Sequence, residues 1–235
     1  MKKSLCAALG VACAAAVALP IIADDHAGDL PITADEQKAL TPDAVLAELM
    51  EGNKRYVAGE QTARDIKANI EAASSGQFPQ AVVLSCLDSR VPVEMVFDQH
   101  IGDIFVGRVA GNVENVDQLG SMEFATAAAG VKLVMVLGHE ACGAVKGACD
   151  GVELGNLTEL LSKIKPAIDS VEGYEGERTS KNSEFVDKVI HANVKQTVAD
   201  IRERSEVLAG LEAEGKIKIV GAYYSLQDGS VTLVE

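Results

Sequence analysis

Four short apolar runs, separated by longer segments of helical character, limit most strongly what this chain can fold into. Ala81–Ser85 (AVVLS), Ile104–Val109, Lys132–Leu137 (KLVMVL) and Ile217–Tyr224 (IKIVGAYY) have the length and hydrophobicity of strands buried on both faces. Between them, Leu119–Ala129, Leu157–Ser170 and a long stretch from about Glu184 to Glu214 read as helices. Strands alternating with helices predict an α/β fold: a mostly parallel four-stranded sheet with helices on both faces. Ser230–Val234 follows the turn Gln227-Asp228-Gly229 and reads as a hairpin return, giving an antiparallel fifth strand at the edge. Upstream, Thr41-Pro42-Asp43 combines a hydroxyl cap, a proline at the first helical position and an early acid. It starts an N-terminal helical arm expected to run to about Tyr56 and to stop before Gly59. Glu172–Ser183 is polar and reads as a surface loop.

The first residues read as a processing signal instead of fold. Lys2 and Lys3 precede an uncharged, alanine-rich run from Ser4 to Ala23, which ends abruptly at Asp24 and Asp25. We expect a cleavable signal peptide over residues 1–23, with export to a periplasmic compartment and no membrane anchor once it is removed. A lipoprotein-type cut before Cys13 fits less well, because Gly10 stands where a larger apolar residue is usual. Residues 24–40 are expected to form a flexible polar arm, and residues 41–235 a single domain. Without the signal the chain carries 19 basic and 35 acidic residues, a net −16. That balance argues against nucleic acid or an anionic membrane as partner.

Three cysteines remain beyond the signal: Cys86, Cys142 and Cys149. An odd number excludes a complete disulfide framework, and unpaired thiols in an oxidising compartment need a reason to persist. Cys86 directly follows the first apolar run, and His139 ends the segment that begins with the third. Ligands of parallel sheets bind at the carboxyl ends of strands, so adjacent strands would unite these residues across 53 positions. Cys142, three residues after His139, falls at the start of the next helix, where backbone N–H groups favour a thiolate. Two thiolates and an imidazole suit Zn²⁺ and leave a fourth position open, the catalytic arrangement. A Cys86–Cys142 disulfide with His139 as bystander fits the spacing as well. Asp88 lies near enough to Cys86 to reach a metal or its water, and Arg90 could pair with it in bidentate fashion. A surface ion pair is the plainer reading of those two.

Cys86-x-Asp88-x-Arg90 followed by His139-x-x-Cys142 resembles the paired signature of the β-class carbonic anhydrases. Gly102-Asp103-Ile104-Phe105, Ala110-Gly111-Asn112, Ser121-Met122-Glu123-Phe124-Ala125 and Gly221-Ala222-Tyr223-Tyr224 are similar to the same family, so the likeness spans roughly residues 41–235. The resemblance implies reversible hydration of carbon dioxide to bicarbonate and a proton, using hydroxide made at one Zn²⁺ per chain. It implies Cys86, His139 and Cys142 as zinc ligands and Asp88 with Arg90 as the catalytic dyad. Gly143 would offer its N–H to bicarbonate, and Gln77, Phe105 and Phe124 would form the substrate pocket. It also implies a homodimer or homotetramer with the cleft at the subunit boundary. Phe124 stands where many relatives have tyrosine, and Val109 where asparagine is common. Val83 occupies the position of a tryptophan found in relatives with a second, inhibitory bicarbonate site, so the simpler subtype is expected. Hydrolysis of carbon disulfide or carbonyl sulfide on the same fold is one alternative, and a non-catalytic envelope zinc-binding or thiol protein is another. Cys149 reads as a buried packing thiol, and His26, His100 and His191 as surface or packing residues.

Overall fold

The computed structural model describes residues 30–234. The expected signal peptide and the start of the polar arm lie outside the described residues. Among the described residues the sheet has five strands: β1 (Ala81–Ser85), β2 (Ile104–Arg108), β3 (Leu133–His139), β4 (Lys218–Tyr224) and β5 (Val231–Val234). They are ordered β2-β1-β3-β4-β5. The first three pairings are parallel, and β5 returns antiparallel along β4. The expected fold class is observed.

The strand sequences alternate between two cores, as a period of two requires. Ala81, Val83, Leu133, Met135 and Leu137 pack under helix α2 (Pro42–Ala58) and the short α4 (Val93–Val96). Val82, Leu84, Val134 and Val136 face α5 (Val116–Glu123), α9 (Ser183–Arg204) and α10 (Glu206–Ala213). Gly138 and Gly221 let α9 approach closely, since a Cβ at either would stand 2.5 or 2.6 Å from a methyl of Val194. No helix among the described residues is long and apolar enough to cross a membrane.

Helix α2 starts as read, with Thr41 Oγ1 accepting from Ala44 N at 3.2 Å and Gly59 closing the far end. Four details differ. The stretch expected to be a flexible arm contains α1 (Ala34–Ala39), capped reciprocally by Thr33 and Glu36. Its Gln37 is buried and donates to Pro79 O and Ala129 O at 2.7 and 2.8 Å, so this part of the arm is seated against its own chain. The long helix expected over 184–214 breaks at Ser205, whose Oγ accepts from Leu208 N at 3.2 Å as the cap of α10. The side-chain cap wins over helix continuation there. The helix expected over 157–170 divides into α7 (Gly155–Ser162) and α8 (Lys165–Ser170), since Pro166 lacks an N–H and crowds the preceding turn. A further helix, α3 (Ile66–Ala73), was not read from the sequence.

Candidate metal centre and active site

Strand order places the chemistry. The chain leaves β1 for β2 on one side and returns as β3 on the other, so a crevice opens at the carboxyl ends of β1 and β3. Cys86 is the first residue past β1, His139 is the last of β3, and Cys142 caps helix α6 (Gly143–Cys149). All three are buried, and their ligand atoms lie within 4.8 Å of one another. The sulfurs of Cys86 and Cys142 are 3.8 Å apart, well beyond a disulfide bond of about 2.05 Å, and both thiols are free.

The histidine is oriented for donation of a lone pair. Its Nδ1 lies 2.8 Å from Glu140 O, which can only accept, so the proton sits on Nδ1. Nε2 is buried and has no hydrogen-bond partner among the described residues. A buried nitrogen left bare costs about 1–3 kcal/mol, and a cation between it and the two sulfurs removes that cost. Hydrogen bonding from the Cys142 thiol draws the Cys86 pKa down to about 4, against burial, with further help from the Gly111 N–H. The same contact, burial and the neighbouring Cys86 charge push Cys142 up. A Cys₂His set of this kind fits a borderline-soft divalent ion with an open fourth position.

Beside this cluster, Asp88 is held by Arg90 in a two-pronged contact. Arg90 Nε donates to Oδ1 at 2.9 Å and Nη2 to Oδ2 at 2.7 Å, and the Arg90 N–H adds a third bond at 2.9 Å. The guanidinium holds the Asp88 carboxyl well below the usual carboxylate range. Oδ2 also stands 3.8 Å from His139 Nε2, so the dyad faces the ligand cluster.

Other residues support the crevice, and none of them was assigned a role in the site from the sequence. Arg108, at the end of β2, donates to Cys86 O at 3.0 Å and to Asp88 O, pinning the loop between them. Gly111 N donates to Cys86 Sγ at 3.3 Å, and Asn193 of α9 holds Gly111 O at 2.8 Å. The expected pocket residues lie elsewhere within the single chain. Gln77 is exposed and precedes β1, at the end of the strand away from Cys86. Phe105 and Phe124, with ring centroids 6.3 Å apart, line an open groove of about 760 Å³ along β2 and α5. None of the three ligand residues lines that groove. Gly143 opens α6 next to Cys142, with clear space around its Cα.

Residues 81–231 match the family model described as carbonic anhydrase. The chain is 36% identical over 198 residues to carbonic anhydrase 2 of Mycobacterium tuberculosis, covering 82% of this chain and 92% of that protein. The chain belongs to the β-carbonic anhydrase family. It is also 37% identical over 200 residues to a carbonic anhydrase of Mycolicibacterium smegmatis, with 82% and 93% of the two chains covered. Among solved structures, a Coccomyxa β-carbonic anhydrase in complex with acetazolamide superposes with a TM-score of 0.64 at 23% identity, covering 80% of this chain and 86% of that one. A tetrameric β-carbonic anhydrase of Sordaria macrospora gives 0.62 at 21% identity, covering 81% and 96%. Those two likenesses concern the fold, and the sequence relatives carry the family's enzyme activity to this chain.

Proposed function

We propose that the chain binds one Zn²⁺ through Cys86 Sγ, His139 Nε2 and Cys142 Sγ and uses it for the reversible hydration of carbon dioxide. The observation that carries this reading is the convergence of two buried thiols on an unpartnered Nε2, beside an ion pair that faces it. Zinc, when bound, supplies the Lewis acidity that brings the ionisation of water from about 15.7 towards neutrality. The protein supplies the rest. Ionised Asp88 can only accept, so it would take a hydrogen bond from a water beside the cluster and leave an oxygen lone pair of that water free for carbon dioxide. Arg90 keeps Asp88 ionised and in one rotamer. The Gly143 N–H, which at the first turn of α6 has no intrahelical acceptor, would be available to a bicarbonate oxygen.

Carbon dioxide is apolar, and the proposed walls of its pocket are Phe105 and Phe124, with Gln77 as the polar member. Within one chain these residues do not meet the ligands, so a second copy is the proposed source of them, in a homodimer or homotetramer. The exposure of Phe124 (59%) and Val116 (73%) on the groove supports a covered face. The amino-terminal sequence supports a periplasmic location after signal removal.

Stopped-flow carbon dioxide hydration, with zinc content measured on the same sample, tests the reading. Rapid turnover with one zinc per chain, abolished by Cys142→Ala, is the expected result. Full zinc loading without hydration would instead point to a sulfur-substituted substrate or a binding protein.

A further inference from the structure

We infer that Glu140 is a positioning residue for His139, acting through a tether between the metal loop and the terminal turn. The inference rests on the zinc reading above and concerns how the chain selects Nε2 as the ligand atom. What fixes His139 is the carbonyl oxygen of Glu140, which takes the Nδ1 proton at 2.8 Å. The direction of that carbonyl depends on the peptide that Glu140 begins. On one side the Glu140 N–H donates to Tyr224 O at 2.9 Å. On the other, Ala141 has φ +54°, a left-handed state that residues with a Cβ avoid. The peptide between the two ligands is therefore held in a conformation that alanine does not choose.

The carboxylate of Glu140 supplies the restraint. Oε2 accepts from Leu226 N at 2.9 Å and Oε1 from Gln227 Nε2 at 2.7 Å. Leu226 packs against the core under α2, which makes the turn after β4 a firm anchor. Tyr224, directly opposite His139 in the β3–β4 register, continues into the same turn. The side chain and the backbone of one residue thus bind a single turn at two points, and the His139 ring takes its direction from the peptide between them. Releasing the carboxylate lets Ala141 relax towards negative φ. The Glu140 carbonyl then rotates off Nδ1, and the imidazole is free to turn or to change tautomer.

The test compares zinc affinity, by competition with a chromophoric chelator, in the wild type, Glu140→Ala, Glu140→Gln and Gln227→Ala. Cobalt(II) absorption spectra and thermal unfolding of the metal-free proteins accompany it. We expect Glu140→Ala to weaken zinc binding about 10- to 100-fold, the range for partners that orient a metal ligand, and to alter the cobalt ligand-field bands. Gln227→Ala, which removes one of the two bonds, should give a smaller loss. Glu140→Gln should stay close to wild type, because its amide oxygen accepts from Leu226 N while its NH₂ donates to a flipped Gln227. Wild-type affinity and an unaltered cobalt spectrum in Glu140→Ala, whatever its thermal stability, would overturn the inference. Equal losses in Glu140→Ala and Glu140→Gln would overturn it too, by making charge the cause. A wild type that binds no zinc would instead defeat the metal reading itself.

Discussion

Asp88 and His139 meet edge to edge across the crevice, carboxylate Oδ2 standing 3.8 Å from Nε2 while both prongs of Arg90 hold the same carboxylate. Asp88 is therefore occupied by Arg90 and not turned onto the ligand cluster. Under the zinc reading, Asp88 would still be free to accept from a water beside the three candidate ligands. Asp88→Asn keeps the shape but turns one acceptor atom into a donor, so water would be held in the wrong orientation. Turnover should fall at least about 100-fold, the scale of a lost proton acceptor, with zinc content unchanged. Loss of zinc from the Asn variant would show that Asp88 serves the metal instead of the water.

Two features of the Gly111 position favour glycine. Its φ is +76°, and a Cβ would stand 2.8 Å from Ile164 Cδ1 and 3.3 Å from Ala144 Cβ. Gly111→Ala would displace the Ile164 side chain and strain the turn that aims an N–H at Cys86 Sγ. Strain at such a position costs about 1–3 kcal/mol. We expect lower thermal stability together with weaker zinc retention during chelator dialysis. A variant less stable but with unchanged zinc retention would mean that this N–H does not support the thiolate.

Asp98 has a buried side chain, bonded by Arg55 Nε at 2.7 Å, by Arg64, and by Thr62 through both its N–H and its hydroxyl. Burial raises its pKa, and the hydrogen bonds outweigh that, leaving it below the ordinary value. A carboxylate with a depressed folded pKa stabilises above its unfolded pKa of about 3.9 and loses that contribution as pH falls through the folded value. Asp98→Asn should cost about 3 kcal/mol at neutral pH, the low end for a broken buried pair because Arg55 is partly exposed. In urea titrations the gap between wild type and variant should be level from about pH 5 to 8 and shrink below about pH 4. A gap independent of pH would assign the loss to packing.

The cluster of Cys86, His139 and Cys142 was legible because each residue ends or follows a strand or opens a helix, and the topology of a parallel sheet brings such positions together. The helix breaks were less so. Ser205 sits in an amphipathic pattern that continues past it, and only its bonds to Leu208 N and to Glu123 Oε1 at 2.6 Å make it a boundary. Asn193 illustrates a harder limit. It lies inside α9 on the mostly apolar stripe of Val189, Ile190, Val194 and Thr197, which marks it as buried, but nothing in the sequence names its partner, the Gly111 carbonyl 82 positions away. For Gln77, Phe105 and Phe124, the resemblance gives positions, but position along the chain does not decide whether they form the proposed carbon dioxide pocket or from which copy.

That question is open to a direct test at Phe124. The ring is 59% exposed, tilted against Phe105, and begins the π-helical turn Phe124–Ala128 that ends α5. A solvent-facing ring tolerates a carboxylate. One pressed against a second copy does not, because an unpaired charge would be buried at the contact. Phe124→Asp should therefore weaken association by about 3 kcal/mol or more, on the order of 100-fold in Kd. Sedimentation equilibrium should then show smaller species, and hydration activity should fall with them while each chain keeps its zinc. An unchanged assembly with full activity would place the groove outside the interface and remove Phe105 and Phe124 from the carbon dioxide pocket.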